Sequence, residues 1–150
     1  MHNGARILNL SLGGSEPSET LRRAVAYAWD SGALVVAAAG NENSSAPVYP
    51  AAWPNVIGVG ATNVDDTRAP FSNFGGYVAI SAPGVAILST TMGGSYEAWP
   101  GTSMATPLVS GVAALLWSRY PNLTNAEVRA LLLETTDHIG SASYDGGGWN

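Results

Sequence analysis

Residues 33–39 read Ala-Leu-Val-Val-Ala-Ala-Ala and are followed directly by Gly40 and Asn41. This run without a polar side chain is typical of a central strand in a parallel sheet, where helices cover both faces. Its length suits a strand and is far short of the ~20 apolar residues of a membrane span. We therefore expect Asn41 to place its side-chain amide at the carboxyl end of a buried strand.

Strands and helices alternate on both sides of this run. Strands are predicted at residues 6–12, 56–61, 77–81 and 85–90, with a hairpin turn at 93–94. Helices are predicted between Ser18 as N-cap and Gly32, over residues 103–120 buried all round, and from the capping box Thr124-x-x-Glu127 through Leu133. Strand–helix–strand order with short connections predicts an α/β fold in one domain: three layers around a mostly parallel, doubly wound sheet.

Composition excludes several classes of function. The net charge is −5, and all six basic residues are scattered arginines, which argues against a nucleic-acid partner. The chain has no cysteine, so it has no disulfide, thiolate metal site or cysteine nucleophile. No apolar run suggests a membrane span, and nothing at the start resembles a signal peptide.

The sequence Gly101-Thr102-Ser103-Met104-Ala105-Thr106-Pro107 opens the long predicted helix. A serine at this position meets unpaired backbone N–H groups and the positive end of the helix dipole, which together stabilise an oxyanion. The ordinary alternative is that Thr102 or Ser103 caps the helix, with Pro107 tolerated near the first turn. The motif alone favours that alternative.

Two other motifs lie where strands end. In Gly40-Asn41, the neutral asparagine amide is a suitable donor to an oxyanion, although asparagine is also common in turns. In Asn9-Leu10-Ser11-Leu12-Gly13-Gly14, exposed backbone can pair with an extended peptide, or simply turn into the next helix.

Taken in order, the motifs NLSLGG, VVAAAGNE, YPAAWPNVIGVGAT, FSNFG, SAPG and GTSMATP resemble the subtilisin family of serine proteases across nearly the whole chain. The resemblance implies that Ser103 is the nucleophile and that Asn41 and the Ser103 N–H form the oxyanion hole. It further implies substrate-binding roles for a strand edge and for the walls of the primary specificity pocket: Ser11, Leu12 and Gly13 for the edge, and Ala38, Ala39, Gly40 and Val48 for the pocket.

The chain departs from the family pattern in its triad. The family order is Asp, His, Ser, so both partners are expected upstream of Asn9, but the only histidines are His2 and His138, and neither lies in a matching motif. The chain is therefore interpreted as the C-terminal portion of the peptidase domain over residues 1–150, truncated at both ends and inactive alone. Leu108 replaces a histidine that is common in the family.

The resemblance also sets expectations for cofactors, partners and location. Catalysis needs no metal or organic cofactor; calcium is admissible in the full-length relative, but no carboxylate stands near Ala79 where relatives bind a cation weakly. The expected partners are a polypeptide substrate and either the missing N-terminal segment or a second copy. The family suggests a secreted protein.

Two readings compete with the protease fragment. The chain could be a non-catalytic relic that keeps only peptide binding or a structural role. A nucleotide-binding α/β domain is disfavoured, because residues 58–63 (GVGATN) lack the third glycine and lead into a loop.

Overall fold

The computed structural model describes residues 4–139 of the chain. Six strands and three helices follow one another as β1 Ile7–Leu10, α1 Glu19–Asp30, β2 Leu34–Ala38, β3 Val56–Thr62, β4 Ile80–Pro83, β5 Ile87–Thr90, β6 Tyr96–Trp99, α2 Thr102–Arg119 and α3 Asn125–Glu134. No helix within these residues is long and apolar enough to cross a membrane.

The central sheet contains β1, β2, β3 and β4 in that order, and every neighbouring pair is parallel. In its register Leu34 lies beside Ile7 and Val59 beside Ile80. All residues of β2 and β3 are buried. The apolar run at 33–39 therefore forms an inner strand, as the sequence predicted.

Alternate residues of β2 face two different layers. Leu34 and Val36 pack in a core cluster with α2 and α3, whereas Val35 and Ala37 pack with α1. This alternation follows from the two-residue period of a strand, and it explains why β2 is apolar throughout. The three-layer α/β prediction is confirmed.

Helix α2 contacts all four strands of the sheet and α3. Its buried side chains lie along one side, with Ala105, Ala113 and Trp117 among them. The prediction that this helix is buried all round is wrong, since Val112 is 54% exposed and Leu115 73% exposed. Within residues 4–139 no other element covers that side of the helix.

The helix ends follow the capping residues predicted from the sequence. The Ser18 side chain accepts a hydrogen bond from Leu21 N at 3.3 Å. Thr124 and Glu127 form a reciprocal capping box, with Glu127 Oε2 accepting from Thr124 N at 2.8 Å. These caps satisfy N–H groups that a helix leaves unpaired at its start.

Three strands differ most from the prediction in their bounds. The strand expected at 6–12 covers only Ile7–Leu10, so Ser11 and Leu12 follow it. The strand expected at 77–81 starts later, at Ile80, because Val78 N first donates to Gly75 O in a turn. The strand expected at 85–90 begins at Ile87 and pairs antiparallel with β6. The predicted hairpin is present, closed by the hydrogen bond from Thr91 N to Ser95 O at 2.9 Å.

Candidate active site

The candidate site lies where β1, β2 and the start of α2 meet. Ser11 directly follows β1, Asn41 lies shortly after β2, and Ser103 is the second residue of α2. Because parallel strands end at the same edge of a sheet, residues that are far apart in the sequence come together here. Ser11 and Ser103 are joined by two hydrogen bonds: Ser11 Oγ donates to Ser103 O at 2.8 Å, and Ser103 Oγ donates to Ser11 O at 3.3 Å.

Pro107 makes the Ser103 carbonyl available for this pairing. In a regular helix the Ser103 carbonyl would accept from the N–H of residue 107, four positions later, but proline has no N–H. The free carbonyl accepts the Ser11 hydroxyl instead. From the sequence, Pro107 is interpreted only as a residue that the helix tolerates. In the structure it helps to join α2 to the end of β1.

The capping alternative for the GTS motif is wrong. The N-cap is Gly101, and no side chain caps the helix there. Thr102 is fully buried, and its Oγ1 accepts from Gly40 N at 3.2 Å and donates to Asn41 Oδ1 at 3.0 Å. This role of Thr102 was not predicted, because the only feature of the sequence that pointed to Thr102 was its position next to Ser103.

The Asn41 side chain has a fixed orientation. Its Oδ1 accepts from both Thr102 N, at 2.9 Å, and Thr102 Oγ1. Two donors on one side require that side to be the oxygen, so the Nδ2 group points away from Thr102. Within residues 4–139, Asn41 Nδ2 and the Ser103 N–H donate to no protein atom.

The two donor nitrogens lie close together beside Gly101. A Cβ atom on Gly101 would lie 3.7 Å from Ser103 N and 3.8 Å from Asn41 Nδ2, and 3.3 Å from Met104 Sδ. A side chain at residue 101 would therefore crowd both nitrogens. A backbone N–H and a neutral side-chain amide that converge beside a serine hydroxyl can stabilise a developing oxyanion.

A cleft of about 430 Å³ opens beside Ser103. Seven of the nine residues predicted for the site line it, namely Leu12, Gly13, Ala38, Gly40, Asn41, Val48 and Ser103. Ser11 is exposed and hydrogen-bonded to Ser103 but does not line the cleft, and Ala39 is fully buried and does not line it either. The roles assigned to these residues stay predictions.

One wall of the cleft is built by the contact between residues 13 and 48. A Cβ on Gly13 would lie 2.6 Å from Val48 Cγ1, so the two segments approach as closely as they do because residue 13 is glycine. An antiparallel bridge holds them, with Gly14 N donating to Tyr49 O at 3.0 Å and Tyr49 N to Gly14 O at 2.8 Å. The Val48 side chain projects into the cleft from this wall.

Glu42 and Asn73 are among the lining residues that were not predicted. Glu42 carries the only charge among the residues that line the cleft, and Asn73 is a buried amide next to it. In the sequence, neither residue has a position relative to a strand end that would distinguish it from an ordinary loop residue. Nearby, the Tyr77 hydroxyl donates to Ala39 O at 3.0 Å, and burial raises the pKa of its phenol above the ordinary value.

The histidine and metal expectations concern residues away from the cleft. His138 is exposed, follows α3 and does not line the cleft, whereas His2 lies outside the described residues. In residues 4–139 no three His, Asp or Glu side chains cluster as a metal site would require. Ala79 packs against the larger core cluster, and the absence of a cation site there stays a prediction.

Comparisons with known proteins match almost the whole chain. The subtilase family model matches residues 1–148. Subtilisin from Bacillus pumilus is 48% identical over 150 residues, covering 97% of this chain and 54% of that protein. Subtilisin E from Bacillus subtilis (strain 168) is 47% identical over 150 residues, covering 97% of this chain and 39% of that protein.

A solved structure shows the same relationship in three dimensions. The S41 psychrophilic protease matches with a TM-score of 0.84 and 36% identity, over 93% of this chain and 52% of that one. The chain thus spans about half, or less, of the length of these relatives. On the family match and these identities, the chain belongs to the subtilase family.

Proposed function

We propose that this chain carries the nucleophile and oxyanion hole of a serine endopeptidase. Ser103 Oγ bonds to the scissile carbonyl carbon while its proton passes to a histidine, and the oxyanion accepts from Ser103 N–H and Asn41 Nδ2. The tetrahedral species expels the amine, which takes that proton, and water hydrolyses the acyl ester. The closeness of Asn41 Nδ2 and Ser103 N beside Gly101 supports this proposal most directly.

The histidine and its orienting aspartate are proposed to come from outside residues 1–150, from an upstream segment or a second copy. Ser103 Oγ donates to the Ser11 carbonyl, which cannot accept a proton as a base does. Without a base a serine hydroxyl is a poor nucleophile near neutral pH. The chain alone is therefore proposed to be inactive. Secretion of the protein stays a prediction from the family resemblance.

The chemistry is tested by labelling the purified chain with a fluorophosphonate probe, with Ser103→Ala as control and circular dichroism to show that both are folded. We expect no labelling of the chain alone. We expect labelling at Ser103 after addition of an upstream subtilisin segment that bears the histidine and aspartate. Labelling of the chain alone that disappears in the control would show that a base reaches Ser103 without that segment.

A non-catalytic peptide-binding domain is the second candidate. The observation in its favour is that Ser103 Oγ already donates a hydrogen bond to Ser11 O, so the hydroxyl is engaged by the protein itself. In this case a substrate peptide would bind the cleft, and the complemented chain would bind it without labelling or turnover. The labelling experiment therefore separates the two candidates.

The Val48 side chain is proposed to favour small substrate side chains in the cleft, because it occupies space beside Gly13. We expect Val48→Gly to raise the affinity for a tetrapeptide ending in Phe, relative to one ending in Ala, by about tenfold or more. The two affinities are measured by NMR titration. Val64→Gly, at a fully exposed valine outside the cleft, is the matched control. An unchanged ratio in Val48→Gly would place the specificity elsewhere.

A further inference from the structure

Asn73 is a buried amide whose hydrogen bonds all go to one segment, residues 39–44. Asn73 lies in the connection between β3 and β4 and is 1% exposed. Oδ1 accepts from Glu42 N at 2.9 Å and from Ser44 N at 3.0 Å. Nδ2 donates to Ala39 O at 3.0 Å and to Glu42 Oε2 at 2.9 Å. The two acceptor and two donor positions of the amide are thus all used.

The segment that Asn73 holds has left the sheet and needs such a partner. Gly40 has a φ of +106°, and Asn43 has a φ of +51°, so the backbone is not extended as a strand would be. The Asn73 backbone N also donates to Gly40 O at 3.0 Å. The Asn73 side chain packs against the Gly40 Cα so closely that any Cβ there would clash with it. Asn73 therefore supplies the backbone of this segment with hydrogen bonds of the kind that a neighbouring strand supplies within a sheet.

Asn41 lies in the middle of this held segment. Its side-chain oxygen is fixed by Thr102, but its backbone is fixed by the Asn73 bonds on either side, at residues 39–40 and 42–44. A shift of the backbone would move Nδ2 away from the point that it shares with the Ser103 N–H. Oxyanion donors are effective only when they are held at the correct position before the charge develops.

Asn73 also fixes the nearest negative charge. Glu42 Oε2 accepts from Asn41 N at 2.8 Å and from Asn73 Nδ2. Without the Asn73 donor, the carboxylate keeps only its bond to Asn41 N and loses one of its two partners, so it is held less firmly beside the Asn41 amide. Loss of Asn73 would therefore affect both the position of the amide and the position of the nearest negative charge.

We infer that Asn73 is a positioning residue, which holds the Asn41 amide in place for an oxyanion and fixes the Glu42 carboxylate beside it. The inference rests on the proposed function, since it assumes that an oxyanion binds between Asn41 and Ser103. Asn73 contacts neither the oxyanion nor the scissile bond, and it acts through residues 39–44.

The test compares two peptides, acetyl-Ala-Ala-Pro-Ala with a free carboxylate and the same peptide with a carboxamide. The 150-residue chain is titrated with each by NMR. The ratio of their dissociation constants reports the anion site and not the rest of the cleft. We expect Asn41→Ala and Asn73→Ala each to lower the preference for the carboxylate by about tenfold or more, as loss of a hydrogen bond to a charged group does.

Ser72→Ala is the matched control, because Ser72 is equally buried beside Asn73 but bonds to Ala61 N and Asn73 O, not to residues 39–44. It should lower stability to urea and leave the ratio unchanged. If Asn73→Ala does not fold, Asn73→Leu removes both donors at similar volume without adding a charge and should lose the preference as well. The side-chain amide resonances of Asn41 give a reading without ligand and should move in the Asn73 variants.

The outcomes separate the inference from the proposed function. A preference that depends on Asn41 but survives in the Asn73 variants, with unmoved Asn41 resonances, would overturn the inference and keep the function. A wild-type chain that binds neither peptide, or whose preference ignores Asn41, would overturn the proposed function and the inference with it. Loss in the Asn41 and Asn73 variants, with the Ser72 control intact, would support both.

Discussion

Replacing Gly58 with alanine is expected to destabilise the chain by more than about 3 kcal/mol, at or beyond the upper end for an added methyl group in a packed core. Gly58 lies in β3, where every residue is buried. A Cβ there would clash with the Tyr77 carbonyl oxygen and lie 3.2 Å from the Ala51 carbonyl oxygen. Backbone atoms cannot rotate away as a side chain can, so the strand itself would have to move.

The measurement is the free energy of unfolding from urea denaturation. Gly111→Ala is the matched control, because Gly111 lies on the exposed side of α2 and a Cβ there meets nothing within 4 Å. The same change should stabilise that variant by about 0.5–1 kcal/mol, since alanine favours a helix over glycine. A Gly58→Ala chain as stable as the wild type would contradict the described packing of β3. Total stabilities of about 5–15 kcal/mol leave room to detect the loss.

Replacing Asn41 with alanine is expected to lower kcat of the complemented protease by about 10²–10³, a magnitude established for subtilisin, this chain's own family. The Asn41 oxygen is held by Thr102, so its Nδ2 group has one orientation, on the side away from Thr102 and near Gly101. Under the proposed function this donor binds the oxyanion more strongly than the substrate carbonyl, so kcat should fall with little change in KM.

The measurement is steady-state hydrolysis of a peptide substrate, with the upstream histidine- and aspartate-bearing segment added to each variant. Asn122→Ala is the control, because Asn122 is exposed in the turn between α2 and α3 and does not line the cleft. It should keep wild-type kinetics. An Asn41→Ala enzyme that retains kcat within about threefold of wild type would remove Asn41 from the oxyanion hole, because one such donor contributes far more.

Local patterns were sufficient to predict the frame of the fold. The run at 33–39 predicted an inner strand because a strand covered on both faces has no position for a polar side chain. Ser18 and Thr124 predicted helix starts because their hydroxyls satisfy N–H groups in the first turn. These features depend on neighbours in the sequence, and the structure contains all three.

The parts that were missed depend on contacts between distant residues. Asn73 bonds to Ala39 and Glu42 across more than 30 positions, and nothing local to Asn73 indicates such a clamp. The exposed side of α2 was unpredictable for the same reason: the helix is apolar on most sides, and its sequence does not say which sides have a neighbour. Motif order placed Ser103 and Asn41 in one site, but not the threonine that orients the amide.

The position of α2 across the sheet has a consequence for synthesis on the ribosome. All four strands are translated by Pro83, yet the helix that covers one face ends at Arg119. At about 5–20 residues per second, that face lacks its cover for roughly two to seven seconds. Its Leu34, Val36 and Ile57 side chains stay accessible to solvent or a chaperone during that interval. Arg6, just before β1, also waits for this stretch, because it donates to Pro121 O and Leu123 O and lies over the Trp117 ring.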